Sequence, residues 1–133
     1  PQNAEMRTDI ETWQRVSSSL YVWDYPIRYS ATLSPFPNWR MLQPNIQYFA
    51  AHGVSGVFSE LSGLPLGEFS ELRTYVLARL LWNPDCDYEA VMSEFLDGFY
   101  GAAGPAIRRY IELSSDAAAA HPEFLQKQPR RKS

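Results

Sequence analysis

Two carboxylates stand where this chain could do chemistry. Asp24 closes the run Leu20–Asp24, and Glu60 comes two residues after the run Val54–Phe58. If the runs are neighbouring parallel strands, both acids sit at carboxyl ends, the edge where parallel α/β sheets assemble their sites. Two carboxylates facing one cleft there suit glycosidic-bond hydrolysis. One stays protonated to donate to the leaving oxygen, and the other serves as nucleophile or general base. The plainer alternative is that Asp24 fixes its own loop by accepting from backbone amides and Glu60 is a solvated loop residue.

The stretch around Asp24 is crowded with rings. Trp23, Tyr25, Tyr29, Phe36 and Trp39 lie on or beside one loop. Flat aromatic faces stack on sugar rings, and tyrosine adds a hydroxyl. Trp23, Tyr25 and Trp39 are therefore candidate substrate contacts, with Asn38 as an amide that could bond a ligand from the cleft rim. The competing expectations are core packing for Trp23 and Phe36 and helix capping for Asn38. Arg28 and Arg40 could meet a ligand carboxylate, although lone loop arginines usually sit in solvent.

His52, just ahead of Gly53, reads as a helix-end residue, and His121 as part of the tail. The two histidines are far apart and Cys86 is the only cysteine, so neither a metal site nor an internal disulfide is expected. Asp85 and Asp87 lack the further ligands and glycine of a calcium loop and read as capping residues. No Gly-rich phosphate loop or serine nucleophile elbow appears, and no cofactor is expected.

The elements that must hold these groups follow from periodicity. Residues 4–19 read as a helix, with Met6, Ile10 and Trp13 recurring at three- and four-residue steps and Asn3 as its cap. Residues 20–24 form a continuous apolar run, expected of a strand buried on both faces. A Pro- and Tyr-rich loop fills 26–38. Pro44 is expected to interrupt any helical turn begun near Asn38 and to start a short amphipathic helix over 44–52, stopped by Gly53. Residues 54–58 read as a second strand, in which Gly56 marks a close backbone approach. After a loop come three helices: 68–82, 88–99 capped by Asp87, and a third from Pro105 to about residue 116 with an alanine run extending it.

Two strands with a helix between them have the size of one βαβ unit, so the fold class is α/β and helix-rich. Two strands are too few for an independent sheet. Either the helices cover a very small sheet or more strands belong to a longer chain, and the Pro1 start favours a fragment. With 133 residues, 45% of them hydrophobic and 20% charged, one globular unit is expected. A net charge of −3 offers no basic face for nucleic acid, and no apolar run approaches a membrane span. Residues 121–133, with Arg130, Arg131 and Lys132, read as a flexible basic tail.

Three ordered blocks, "YVWDY", "PFPNWRMLQPNIQYFAAHGVSGVF" and "ELRTYVLARLLWNPDCDYEAVMSEFLDGFYGAAGPAIRRYI", resemble an uncharacterised bacterial family known as domain of unknown function 4838. The similarity covers roughly residues 10–112. The family is similar to TIM-barrel glycosidases and occurs in glycoside-hydrolase-like proteins. The resemblance thus implies that residues 1–120 are the C-terminal segment of a (β/α)₈ barrel acting on a carbohydrate, secreted or periplasmic, with the remainder of its parent chain as partner. Trp23, Asp24, Tyr25, Pro35, Pro37, Asn38 and Trp39 match the family pattern, as do Gly53, Gly56, Val57 and Phe58. The family carries an acid directly after this last phenylalanine; here that position is Ser59, and Glu60 follows. The alternative to an enzyme is a non-catalytic carbohydrate-binding or interdomain packing module. As an isolated fragment the chain would be inactive and prone to self-association.

Overall fold

The first departure from expectation is a helix that runs through its proline. In the computed structural model, residues 4–61 and 67–121 are described. Their order is α1 (Ala4–Val16), β1 (Leu20–Asp24), α2 (Trp39–Ala51), β2 (Val54–Ser59), α3 (Ser70–Trp82), α4 (Tyr88–Phe95) and α5 (Gly104–Ala120). Pro44 lies inside α2. Its missing N–H forfeits one intrahelical bond. The stripe Trp39, Leu42, Ile46 and Phe49, buried along the same helix, holds it continuous across that gap. Gly53 ends α2 at φ +71°, the left-handed conformation that favours glycine.

Local signals set the other boundaries. Asp87 caps α4, its carboxylate accepting from Ala90 N–H at 3.0 Å. That helix is shorter than its periodicity implies and passes into a π-type turn over Leu96–Tyr100. Gly104 and Pro105 open α5, which continues through the alanine run to Ala120. Asn3 and the tail 122–133 lie outside the described residues.

β1 and β2 pair in parallel, with Val22 opposite Val57, Trp23 opposite Phe58 and Asp24 opposite Ser59. α2 makes the crossover, so the expected βαβ unit is present. Burial on both faces is not. Val22 and Val57 turn towards the helices and pack against the core. On the other face Tyr21, Trp23 and Phe58 stay 72%, 61% and 60% exposed. The sheet is one-sided because the helices pack against one face only, and the outer positions are apolar rings rather than the polar residues that usually betray an open face. The Tyr21 ring lies across Gly56, where an added Cβ would come within 2.6 Å of it. The glycine does mark a close approach, but it is made by a side-chain ring and not by backbone.

The core sits between α2, α3 and α4, with α5 closing one side. Trp39 and Ile46 of α2, Leu72 and Val76 of α3, Met92 of α4 and Ile111 of α5 all belong to this one buried cluster. Among the described residues, no helix is long and apolar enough to cross a membrane.

Candidate functional site

Glu60 is the acid on the open face. Side chains alternate along a strand, so with Phe58 outward and Ser59 inward the next residue turns outward again. There the Trp23 indole Nε1–H donates to Glu60 Oε2 at 2.7 Å. Tyr29 stands beside the same carboxylate and donates its hydroxyl to Leu61 O at 3.2 Å. Loss of solvation, reinforced by hydrogen bonding and charge from Glu60, pushes the Tyr29 phenol up to about 12.

The rings around Glu60 are in contact. Trp23 meets Phe58 edge-on with centroids 5.0 Å apart. It also stacks on Tyr25 at 6.3 Å, and Tyr25 meets Tyr29 edge-on at 5.5 Å. Tyr25 and Tyr29 remain 48% and 45% exposed. The result is an aromatic platform with one oriented carboxylate at its rim. Phe58 was missing from the sequence-derived candidates, because only the register opposite Trp23 brings it to this face.

Asp24 faces the other way. It shares the inward side with its register neighbour Ser59. Burial holds its carboxyl above the usual aspartate range, against the pull of a hydrogen bond from the Tyr25 N–H. Ser59 Oγ is buried beside it without a hydrogen-bond partner. Glu60 N–H donates to Asp24 O at 2.9 Å, so the backbones meet while the two carboxylates leave the sheet on opposite sides. The expectation that both face one cleft is therefore corrected. Register pairs Asp24 with Ser59, and a one-residue step along a strand reverses the face.

Trp39 and Asn38 are corrected as well. Trp39 is 1% exposed, lies at the centre of the core, and offers no ring to a ligand. Asn38 precedes α2, but its side chain does not cap the helix. Its Nδ2 donates to Pro26 O at 2.9 Å and its Oδ1 accepts from Arg73. Both ends of the amide are thus committed to the protein.

Arg73 is the residue that sequence reading missed. It is 1% exposed, stacks its guanidinium 4.0 Å over the Trp39 ring, and donates to Pro26 O and Phe36 O. Glu68 stands 3.9 Å from it and accepts from Phe36 N–H and the Tyr110 hydroxyl. Burial lowers the guanidinium to about 10, opposed by Glu68, so it stays charged at neutral pH. The available signal was its place on the apolar stripe with Phe69, Val76 and Leu80, where a lone arginine implies buried acceptors.

Of the remaining polar candidates, Arg40, Asp85 and His52 have ordinary partners. Arg28 lines a water-sized cavity of about 20 Å³ beside Glu68 and Arg73. Arg40 pairs with Asp116 at 2.7 Å in solvent, and Asp85 accepts from Gln47. His52 stacks on Tyr48 at the end of α2. Among the described residues, no three His, Cys, Asp or Glu side chains cluster to hold a metal ion.

Fold and site together define a helix-rich α/β unit whose small parallel sheet has one helical face and one aromatic, acid-bearing face. The chain belongs to the family Domain of unknown function (DUF4838), whose model matches residues 1–112. No curated protein and no solved structure matches it.

Proposed function

We propose that the outer face of the sheet binds a carbohydrate. Trp23, Tyr25 and Phe58 supply the stacking surface, and Glu60 accepts hydrogen bonds from sugar hydroxyls. The observation that carries the reading is the 2.7 Å bond from Trp23 to Glu60. It fixes a carboxylate beside exposed rings while leaving acceptor sites free, since a carboxylate offers about four. Flat apolar faces flanked by an oriented acceptor match the alternating C–H and hydroxyl surfaces of a pyranose.

Hydrolysis is the second reading, and Asp24 is what favours it. A carboxyl held above its ordinary range by burial has the property needed of a proton donor. Its partner acid would come from the remainder of a parent chain, because Glu60 leaves the opposite face.

The test is a titration of the chain with soluble cello-, xylo- and chito-oligosaccharides, followed by tryptophan fluorescence and by NMR. One of them should perturb Trp23, Tyr25 and Phe58 together. Trp23→Ala should weaken that binding by at least about tenfold, as loss of a central aromatic anchor does, while Trp82→Ala leaves it unchanged. Failure of every oligosaccharide to move those resonances at millimolar concentration overturns the binding reading. Hydrolysis is tested separately, by release of reducing ends from the parent protein and its loss in Asp24→Asn.

A further inference from the structure

We infer that the sugar taken by the aromatic platform carries a protonated amine, and that Glu60 selects it. The inference rests on the carbohydrate reading above and narrows it to one class of glycan. Its ground is the charge of the open face. Tyr21 and Trp23 of β1 lie opposite Gly56 and Phe58 of β2 on the outer side, and Glu60 follows them there. Glu60 is the charged residue of that row. The other outer positions supply rings or bare backbone.

That charge has no counter-charge from the protein. Among the described residues, no lysine, arginine or histidine pairs with Glu60. Arg28, on the loop after β1, lines the cavity it shares with Glu68 and Arg73. Arg73 is buried over Trp39 in the core. The bond from Trp23 Nε1–H orients the carboxylate but comes from a neutral donor, so it leaves the charge in place. A sugar hydroxyl is a neutral donor too. An ammonium makes a charge-assisted bond, roughly twice as strong as a neutral one.

The rings reinforce the same preference. A cation within about 6 Å of an aromatic ring centre is attracted to the negative face of the ring, and tryptophan attracts best. Trp23 Nε1 lies 2.7 Å from Glu60 Oε2, so an ammonium above the indole also reaches the carboxylate. One amine on a pyranose satisfies both groups while the C–H faces of the sugar stack on Phe58 and Tyr25. A uronic acid meets the reverse: its carboxylate would stand beside Glu60 and over negative ring faces. N-acetylation removes the charge that both groups read. The favoured class is therefore a glucosamine-type glycan with free amines, with neutral glycans second and acidic glycans last.

The experiment titrates the chain with glucosamine, N-acetylglucosamine, cello- and galacturonate oligosaccharides of equal length, following the Trp23 and Phe58 resonances. Salt is low, and the pH is mildly acid so that the amines are protonated. The glucosamine oligomer should bind at least about fivefold tighter than the cello- and N-acetylglucosamine oligomers, the scale of a partly exposed ion pair with a cation–π contact. High salt should erase most of that margin. The galacturonate oligomer should bind more weakly than the cello-oligomer. Glu60→Gln keeps an acceptor for Trp23 without the charge and should bring the glucosamine-to-cello ratio close to one, with the core resonances of Val76 and Leu80 reporting that the variant is folded. If no oligosaccharide binds, the carbohydrate reading fails and this inference with it. If neutral oligosaccharides bind and the glucosamine oligomer gains nothing over them, or its margin survives in Glu60→Gln, this inference alone fails. An oligolysine that binds as tightly as the glucosamine oligomer also overturns it, since the face would then read charge without a sugar.

Discussion

Replacing Arg73 by methionine asks whether one buried cation holds the platform's supporting loop. Methionine keeps a flexible stem over Trp39, so packing changes little and the loss is chiefly of donors. Pro26 O retains the Asn38 amide, and Phe36 O retains Asn38 N–H at 2.8 Å. Asn38 Oδ1 loses the donor that Arg73 supplied, at a cost of about 1–3 kcal/mol for a buried orphan acceptor. Glu68 loses its nearby charge at 3.9 Å but keeps Phe36 N–H and Tyr110, which limits the further cost to about 1 kcal/mol. The expected destabilisation is about 3 kcal/mol, or a urea midpoint lowered by about 2 M for a chain of this size. Urea unfolding followed by tryptophan fluorescence measures it. Asn38→Ala in the methionine background removes the orphan Oδ1 but also takes the last donor from Pro26 O, so the costs of the two substitutions should not simply add. A methionine variant within about 0.5 kcal/mol of the parent would refute this account, since surface substitutions do no worse.

Two further outcomes concern the inner edge of the sheet. Burial raises the folded-state pKa of Asp24, so in that window the folded chain binds more protons than the unfolded one. The contribution of Asp24 is fully present below its unfolded value near 3.8 and is lost as pH rises through the higher folded value. Asp24→Asn should therefore gain stability relative to the parent from pH 4 upward; urea midpoints against pH showing a constant difference between the two would disprove it. Ser59→Ala removes a buried hydroxyl that has no partner. It should stabilise the chain by about 1 kcal/mol, whereas Ser115→Ala, which breaks a 2.7 Å bond to Ile111 O, should not; equal effects in thermal melts would sink the distinction.

What was legible in the sequence was what depends on near neighbours. The βαβ unit, the Asp87 cap, the left-handed Gly53 and the close approach at Gly56 each follow from a few adjacent residues. What was not legible depends on partners distant in the chain. Pro44 argues locally for a break, and only the buried stripe from Trp39 to Phe49 overrides it. Tyr21 and Trp23 are apolar, so the strand reads as buried on both sides, although a helix layer lies on just one. Arg73 and Asn38 meet across 35 positions, which no local pattern encodes. The direction of Glu60 hinges on a one-residue register step, and spacing from the strand end does not reveal which face it takes.

The same distant contacts explain why a surface of rings can keep its shape. The loop after β1 carries Tyr25 and Tyr29, yet it has little regular structure beyond the turn Tyr29–Ala31. Its rigidity is borrowed from α3 and the residues just before it. Arg73 and Asn38 together hold Pro26 O and Phe36 O, while Glu68 takes Phe36 N–H by its carboxylate and Thr32 O by its own N–H. On the outer side the bond from Trp23 to Glu60 joins the ends of the two strands. Aromatic platforms bind weakly if each ring must be ordered on contact, because every immobilised side chain costs about 0.5–1.5 kcal/mol. Here a buried cation fixes the loop from below and a carboxylate fixes the tryptophan from the side. Arg73 thereby links the core to the loop, and the Trp23–Glu60 bond acts separately at the strand ends.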